Sequence, residues 1–282
     1  MKLAISSYSF HRFGWGPEGD QKPSLTRMIE RCAELGVDGI ELLGQHIDST
    51  TPAYLHALKS AAGRNGIAIV AISAHHNFVT PDPEQRLAQI DIVTRWVDVA
   101  HEVGAFAVRV FGGRWQTLPK FQDFMAARGE EPPLPGYTID NGFAWSAEAF
   151  RIASYYAGQR GVTLALENHW GLTGSAAGVQ RILDDTGSPW LKVVLDTGNF
   201  NYSPDPYAEM ARLLPSVVMV HAKTYAGGGM FYTPDLDYRR IGRLLRDAGF
   251  RGYVSIEFEG QAHPDQGLPE SVAMLRDAFA DL

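Results

Sequence analysis

Four polar side chains close four successive apolar runs in the second half of the chain: Glu167 in TLALENHW, Asp196 in KVVLDTGN, His221 in VVMVHAKT and Glu257 in YVSIEFEG. Each run is short, aliphatic or β-branched, and bounded by Gly, Pro, Ser or Asp, which is the pattern of a buried strand. Helix-length segments separate the runs, so the strands should lie parallel, and in a parallel barrel their carboxyl ends open on one mouth. Three carboxylates and an imidazole would converge there. That much negative charge in a cleft is costly without a cation between the groups, and oxygen ligands with one imidazole suit a divalent ion such as Mn²⁺, Mg²⁺, Co²⁺ or Zn²⁺. The first inference is a metal site.

The elements that must position these residues can be laid out as eight strand-then-helix units. Strands are expected near Leu3–Ser7, Gly39–Leu42, Ala68–Ala74, Ala107–Phe111, Thr163–Glu167, Lys192–Asp196, Val217–His221 and Val254–Glu257. Helices fit at Ser24–Leu35, Pro52–Arg64, Pro83–Val103, Ser146–Arg160, Val179–Asp185, Asp205–Leu214, Tyr238–Ala248 and Leu268–Phe279. Gly36, Gly161 and Gly249 follow helix ends, as a left-handed stop requires, and Pro23-Ser24 and Asp82-Pro83 read as helix starts. The expected class is α/β, a single (β/α)₈ TIM-barrel domain over residues 1–282. Its one long departure is a loop at about 112–142 after strand four, at the presumed active-site face, where such loops serve as lids or binding elements.

Composition narrows the partners. With 282 residues, 45% hydrophobic and 20% charged, the chain has the make-up of a globular protein with a large core. A net charge of -7 argues against a general nucleic-acid or membrane-surface binder. No run approaches the roughly 18 apolar residues of a membrane span, and the opening KLAISSYSF reads as a strand rather than a signal sequence, so a cytoplasmic location is expected. The single cysteine, Cys32, sits on a helical pattern and reads as a buried thiol.

Other strand-end residues fall near the same mouth. Glu259 shares a strand face with Glu257, so either could approach a metal, and Lys223 shares one with His221, where it would counter the acids or hold a substrate oxygen. His75 and His76 end strand three, and alternation alone does not say which faces inward. Arg109 and Glu41 are inward candidates on strands four and two that could equally pair with each other. Trp15, Phe78, Trp115 and Trp170 follow strands and could wall a pocket or simply pack the loops.

From SSYSF through ELGVDGIELLG and RVFGG to GYVSIEFEG the chain resembles the sugar phosphate isomerase/epimerase family, the xylose-isomerase-like barrels that also include a DNA-repair endonuclease branch. The resemblance implies one divalent metal, Mn²⁺ foremost, held by Glu167, Asp196, His221 and Glu257 from strands five to eight. It makes Glu167 and Glu257 the acid/base pair on opposite faces of a bound sugar, with a metal-stabilised enediolate as the shared step. It selects Glu257 over Glu259 as the ligand and His75 over His76 as a substrate contact, with Arg109, Asn199, Lys223, Glu259 and Trp115 as further substrate-binding candidates. A small carbohydrate is the implied substrate, and a homodimer or homotetramer the implied assembly.

The chain also departs from that pattern. Where epimerases of the family often carry His three residues after the strand-six Asp, this chain has Asn199, which hydrogen-bonds but does not titrate. That departure, and the lack of a further Asp-x-His, weigh against the endonuclease branch. Gly227-Gly228-Gly229 is not followed by GK[ST], so it reads as a flexible loop and not a phosphate cradle. The expected activity is isomerisation or epimerisation of a ketose, aldose or keto-sugar. Elimination from a keto-sugar, keto-inositol or 3-keto-glycoside at the same site is the alternative, and a non-catalytic sugar-binding subunit the third.

Overall fold

In the computed structural model, which describes residues 1–10, 23–200, 202–229 and 232–280, the apolar runs pair into one closed, all-parallel barrel in the order β1 to β8. The strands are β1 (Lys2–Ser6), β2 (Gly39–Leu43), β3 (Ala68–Ser73), β4 (Ala107–Phe111), β5 (Thr163–Glu167), β6 (Leu191–Asp196), β7 (Val217–Thr224) and β8 (Tyr253–Phe258). The α-helices are α1 (Leu25–Glu34), α2 (Pro52–Arg64), α3 (Pro83–Val103), α4 (Phe121–Ala126), α5 (Ile139–Gln159), α6 (Ala176–Thr186), α7 (Pro206–Leu213), α8 (Tyr238–Asp247) and α9 (Pro264–Phe279). The expected stops and starts are present. Ser24 caps α1 through Arg27 N–H, Asp82 caps α3 through Glu84 and Gln85 N–H, and Gly36, Gly161 and Gly249 take left-handed φ values.

Strand residues alternate between two environments. Ile5, Ile40, Leu42, Ile72, Val108, Leu164, Leu166, Val193, Leu195, Val220 and Ile256 face the helices and build the main core with residues such as Met28, Val97, Phe150 and Leu275. Each such side chain contributes about 1.5–3 kcal/mol on burial. The opposite faces fill the barrel's interior in layers. Ala4, Ala71, Ala107, Ala165, Val194 and Met219 form a separate apolar cluster. Two residues further along the same strands come Ser6, Ser73, Arg109, Glu167, Asp196 and His221, all buried. The strand period of two therefore stacks a polar layer directly on an apolar one, at the carboxyl ends of the strands.

Several expected boundaries move: β7 runs on past His221 to Thr224, and α6 starts at Ala176 rather than Val179. The segment after β4 is not a continuous loop to 142: it contains α4, and α5 begins at Ile139 rather than Ser146, where Thr138 and Asn141 form a reciprocal capping box. Helix α9 begins at Pro264 instead of Leu268, capped by His263. The glycine run after β7 is pinned rather than flexible. Gly228 N–H donates to Tyr225 O, Gly228 O accepts from Gln261 N–H, and Gly229 bridges Gly260. Cys32 is buried in α1, and burial pushes its thiol well above the usual range.

Candidate metal centre and active site

At the top of the barrel, Glu167 (end of β5), Asp196 (end of β6), His221 (β7) and Glu257 (β8) each offer one ligand atom, all within 4.8 Å of one another. His221 Nδ1 is the hub: it lies 3.4 Å from Glu167 Oε1, 3.4 Å from Glu257 Oε1 and 3.9 Å from Asp196 Oδ2. All four residues are buried. Such a Glu/Asp/His/Glu cluster suits a single metal ion.

The outward atom of each ligand is already engaged by the protein. Asp196 Oδ1 accepts the Gly198 and Asn199 backbone N–H groups at 2.8 and 3.0 Å, the tight turn that ends β6, whereas its buried Oδ2 has no hydrogen-bond partner. Glu167 Oε2 faces Arg109 Nε at 3.4 Å. Glu257 Oε2 accepts from Lys223 Nζ at 2.9 Å. His221 Nε2 lies 3.0 and 3.1 Å from the two oxygens of Glu41. Four single atoms thus point inward, and the one that accepts no hydrogen bond, Asp196 Oδ2, has only the Lys223 ammonium at 3.5 Å, which leaves it room to accept a cation.

Electrostatics follow from this packing. Burial alone would raise the Glu167 carboxyl, but Arg109 and the His221 hydrogen bond outweigh it and hold the group well below the usual carboxylate range. Burial pushes Asp196 well above its ordinary value; Lys223 opposes this, and Glu167 and Glu257 add to it. His221 is raised despite its burial, because Glu257 and Glu41 surround it. Lys223 is raised likewise by Asp196, Glu257 and Glu259. The buried acids repel one another, and the cationic Lys223 and Arg109 among them offset part of that repulsion.

The other candidates divide. Lys223 sits inside the cluster, 3.5 Å from Asp196 Oδ2 and bridging Glu257 to Glu259 Oε1 at 2.6 Å, so Glu259 stands beyond the lysine at the rim. Tyr8, Tyr225 and Tyr232 surround that rim, and burial first raises each phenol, with Glu259 adding to it against Lys223. Asn199 donates from Nδ2 to Asn168 O at 3.0 Å and to Glu167 Oε1 at 3.4 Å. Arg109 pairs with Glu167 and lies over the Phe111 ring at 4.2 Å, so the alternative pairing with Glu41 is not the one adopted. His75 reaches solvent at the barrel mouth while its ring sits edge-on to Phe111, and this partial burial of the ring, followed by Arg109, lowers it to about 4. His76 turns away: its Nε2 accepts the Phe111 N–H at 3.1 Å, its ring packs on Phe78, and burial lowers it to about 3.

The tryptophans do not gather at the cluster. Trp115 is buried edge-on to Trp145 and lines a groove of about 470 Å³ with Glu131, Phe143 and Arg181. Trp170 packs between Phe124 and His169, Phe78 is core, and Trp15 lies outside the described residues. Glu41, an inward candidate from sequence, pairs with His221 and not with Arg109, and holds its far side. Two participants were missed from sequence. Asn168 links β5 to β6 by donating to Asp196 O (2.9 Å) and accepting from Asp196 N–H (2.7 Å). His169 packs tilted against Phe111, ring centroids 4.7 Å apart, and burial first lowers it to about 4. A run of polar residues, ENH, following a buried strand was the available signal for the last two.

A model of the xylose isomerase-like TIM barrel family matches residues 29–278, and the chain belongs to that family. The D-psicose 3-epimerase of Agrobacterium fabrum is 24% identical over 253 residues, 81% of this chain and 77% of that protein. A C-glycoside deglycosidase alpha subunit of Arthrobacter globiformis is 34% identical over 71 residues, 25% of this chain and 20% of that protein. The 3-keto-D-glucoside 4-epimerase of E. coli superposes with a TM-score of 0.76 at 19% identity, over 98% of this chain and 99% of that one, which shows a shared fold. Among the described residues no helix is long and apolar enough to cross a membrane.

Proposed function

We propose that this chain is a divalent-metal-dependent sugar isomerase or epimerase acting on a small ketose, aldose or keto-sugar. The observation that carries the reading is the inward set Glu167 Oε1, Asp196 Oδ2, His221 Nδ1 and Glu257 Oε1, with every outward atom engaged and Asp196 Oδ2 accepting no hydrogen bond. These residues would hold one ion, Mn²⁺ being the first choice. When bound, such an ion polarises a carbonyl or hydroxyl oxygen and so acidifies the neighbouring C–H.

The chain's own groups perform the rest. Glu167 and Glu257 come from β5 and β8, each with its second oxygen turned to a cation, Arg109 or Lys223. One carboxylate removes the proton from the carbon beside the carbonyl, and either the same or the opposite one returns it. Return to the original face regenerates substrate, and return to the opposite face inverts the centre. Arg109 holds Glu167 in its ionised form, Lys223 pairs with Glu257 at 2.9 Å, and Asn199, His75 and Glu259 supply hydrogen-bonding groups for the remaining hydroxyls. The similarity to a psicose 3-epimerase supports inversion beside a ketone.

A second reading, elimination of a β-leaving group after the same proton abstraction, is favoured by the stretch similar to a C-glycoside deglycosidase alpha subunit. The test is elemental analysis of purified wild type against an Asp196→Ala/His221→Ala variant, followed by incubation of the loaded protein with keto-sugars in D₂O. Near one equivalent of metal lost in the variant, with deuterium entering beside the ketone, supports epimerisation. Release of a leaving group supports elimination. No metal after reconstitution sinks both.

A further inference from the structure

Glu41 occupies an unusual place for a carboxylate. It lies at the middle of β2, fully buried, one layer below the mouth and out of reach of solvent. A buried charge costs several kcal/mol unless its lone pairs are filled. Here they are filled from three strands: Ser73 of β3 donates its hydroxyl to Oε1, Ser255 of β8 donates to Oε2 at 2.8 Å, and His221 Nε2 of β7 faces both oxygens at 3.1 and 3.0 Å. No other side chain is offered to His221 on that side among the described residues, whereas its Nδ1 faces all three candidate ligand carboxylates.

We propose that Glu41 is a positioning residue for the metal centre: it fixes His221 as the Nε2–H tautomer and so presents the Nδ1 lone pair to the ion. This rests on the metal-dependent reading above. The argument is one of donor and acceptor types. A carboxylate only accepts, so the nitrogen placed symmetrically against its two oxygens carries the hydrogen. The ring then has its other nitrogen free to ligate, and its plane is fixed by a fork that the two serine hydroxyls hold in place. A glutamine at position 41 can turn its amide nitrogen toward Nε2 and donate to it. That would favour the opposite tautomer, with a hydrogen on Nδ1 directed at the ligand carboxylates and no lone pair for the ion. A purely structural ion pair between Glu41 and His221 would stabilise the barrel without affecting which nitrogen ligates.

The experiment is titration of metal-free wild type, Glu41→Gln and Glu41→Asp with Co²⁺, following both affinity and the visible absorption of the bound ion. Loss of a partner of this kind weakens metal binding about 10–100-fold. We expect that loss in Glu41→Gln together with an altered cobalt spectrum, and partial recovery in Glu41→Asp, which keeps an acceptor-only group. Unchanged affinity and spectrum in Glu41→Gln, with only its melting temperature lowered, would overturn the proposal and leave the metal reading standing. Failure of the wild type to bind Co²⁺ would overturn both. Should Glu41→Gln not fold, a Ser73→Ala/Ser255→Ala variant keeps Glu41 and frees its fork. Several-fold weaker binding is then expected, and wild-type affinity would overturn the proposal.

Discussion

Lys223 Nζ stands 2.9 Å from Glu257 Oε2, the oxygen turned away from His221, so a fixed ammonium partly neutralises a cluster of acids that a divalent ion would also neutralise. Gly198 makes room for this: a Cβ there would meet Lys223 Cγ at 2.7 Å. The lysine is buried, and removing one partner of a buried pair costs about 3–5 kcal/mol. Lys223→Met should therefore lower the stability of the metal-free protein by roughly that amount and make it depend more on metal. Thermal unfolding with and without Mn²⁺ checks this. A metal-induced rise in Tm no larger than in wild type would count against the shared electrostatic role.

Glu167 has two jobs in the proposed chemistry, and a near-isosteric change separates them from folding. Glu167→Gln keeps the size of the side chain and one acceptor oxygen, which can serve either Asn199 Nδ2 or Arg109 Nε, each now 3.4 Å from a carboxylate oxygen. It removes the base. Turnover should fall by about 10²–10⁴-fold, the usual contribution of a positioned proton-transfer group, while circular dichroism and melting stay close to wild type. Activity persisting within a few-fold of wild type would remove Glu167 from the acid/base pair.

How much of this was legible in the sequence follows from what each feature depends on. The barrel was readable because buried parallel strands are short apolar runs and each helix stop carries its own glycine or cap. The four inward ligands were readable because each closes an apolar run at or near the carboxyl end of its strand, where alternation and the barrel mouth leave one direction, although β7 continues past His221 to Thr224. Glu41 was readable as an inward residue, but its pairing was not, because its partners are cross-barrel ones. Its contact with His221 spans 180 positions, and from GIELLG alone Arg109 was an equal claimant. The start of α5 was hidden by Gly142, a residue that reads as loop. Within the helix it leaves space for Trp115, whose ring would lie 3.0 Å from a Cβ at that site. His75 and His76 could be told apart only by a contact in three dimensions, the Phe111 N–H that claims His76.

The segment between β4 and α5 is organised by a single carboxylate. Glu131, buried in its side chain, accepts from Arg114 Nε and Nη2 at 3.2 and 2.7 Å and from the Gln116 and Leu118 N–H groups at 2.9 and 3.2 Å. It thereby holds Gln116 at φ 57, a left-handed value costly for a residue with a side chain. Arg114 in turn lies over Phe124, which packs on Trp170 beside His169. Glu131→Ala should expose residues 115–138 to limited proteolysis and raise KM several-fold with little change in kcat, since the proton-transfer groups are untouched. Protection equal to wild type would show that the loop is held by its aromatic contacts instead.

Acid sensitivity should trace to His76. Its ring is neutral in the folded protein down to about pH 3, because burial first, then Arg109 and His75, disfavour the charged form. In the unfolded chain it titrates near the ordinary value of 6.5. Above pH 6.5 both states are neutral and the ring adds no pH dependence. Between 6.5 and 3 the unfolded chain takes up a proton that the folded one refuses, so stability falls as pH drops, by about 2 kcal/mol from pH 6.5 to 5. His76→Asn can still accept the Phe111 N–H through its amide oxygen but cannot titrate. It should be less stable than wild type at pH 7.5, with a flatter decline toward pH 5. His75 and His169, each lowered to about 4, remain in both proteins and cancel in the difference. Urea unfolding of metal-free protein at three pH values in this range provides the measurement. Parallel wild-type and variant curves would assign the acid sensitivity to groups other than this histidine.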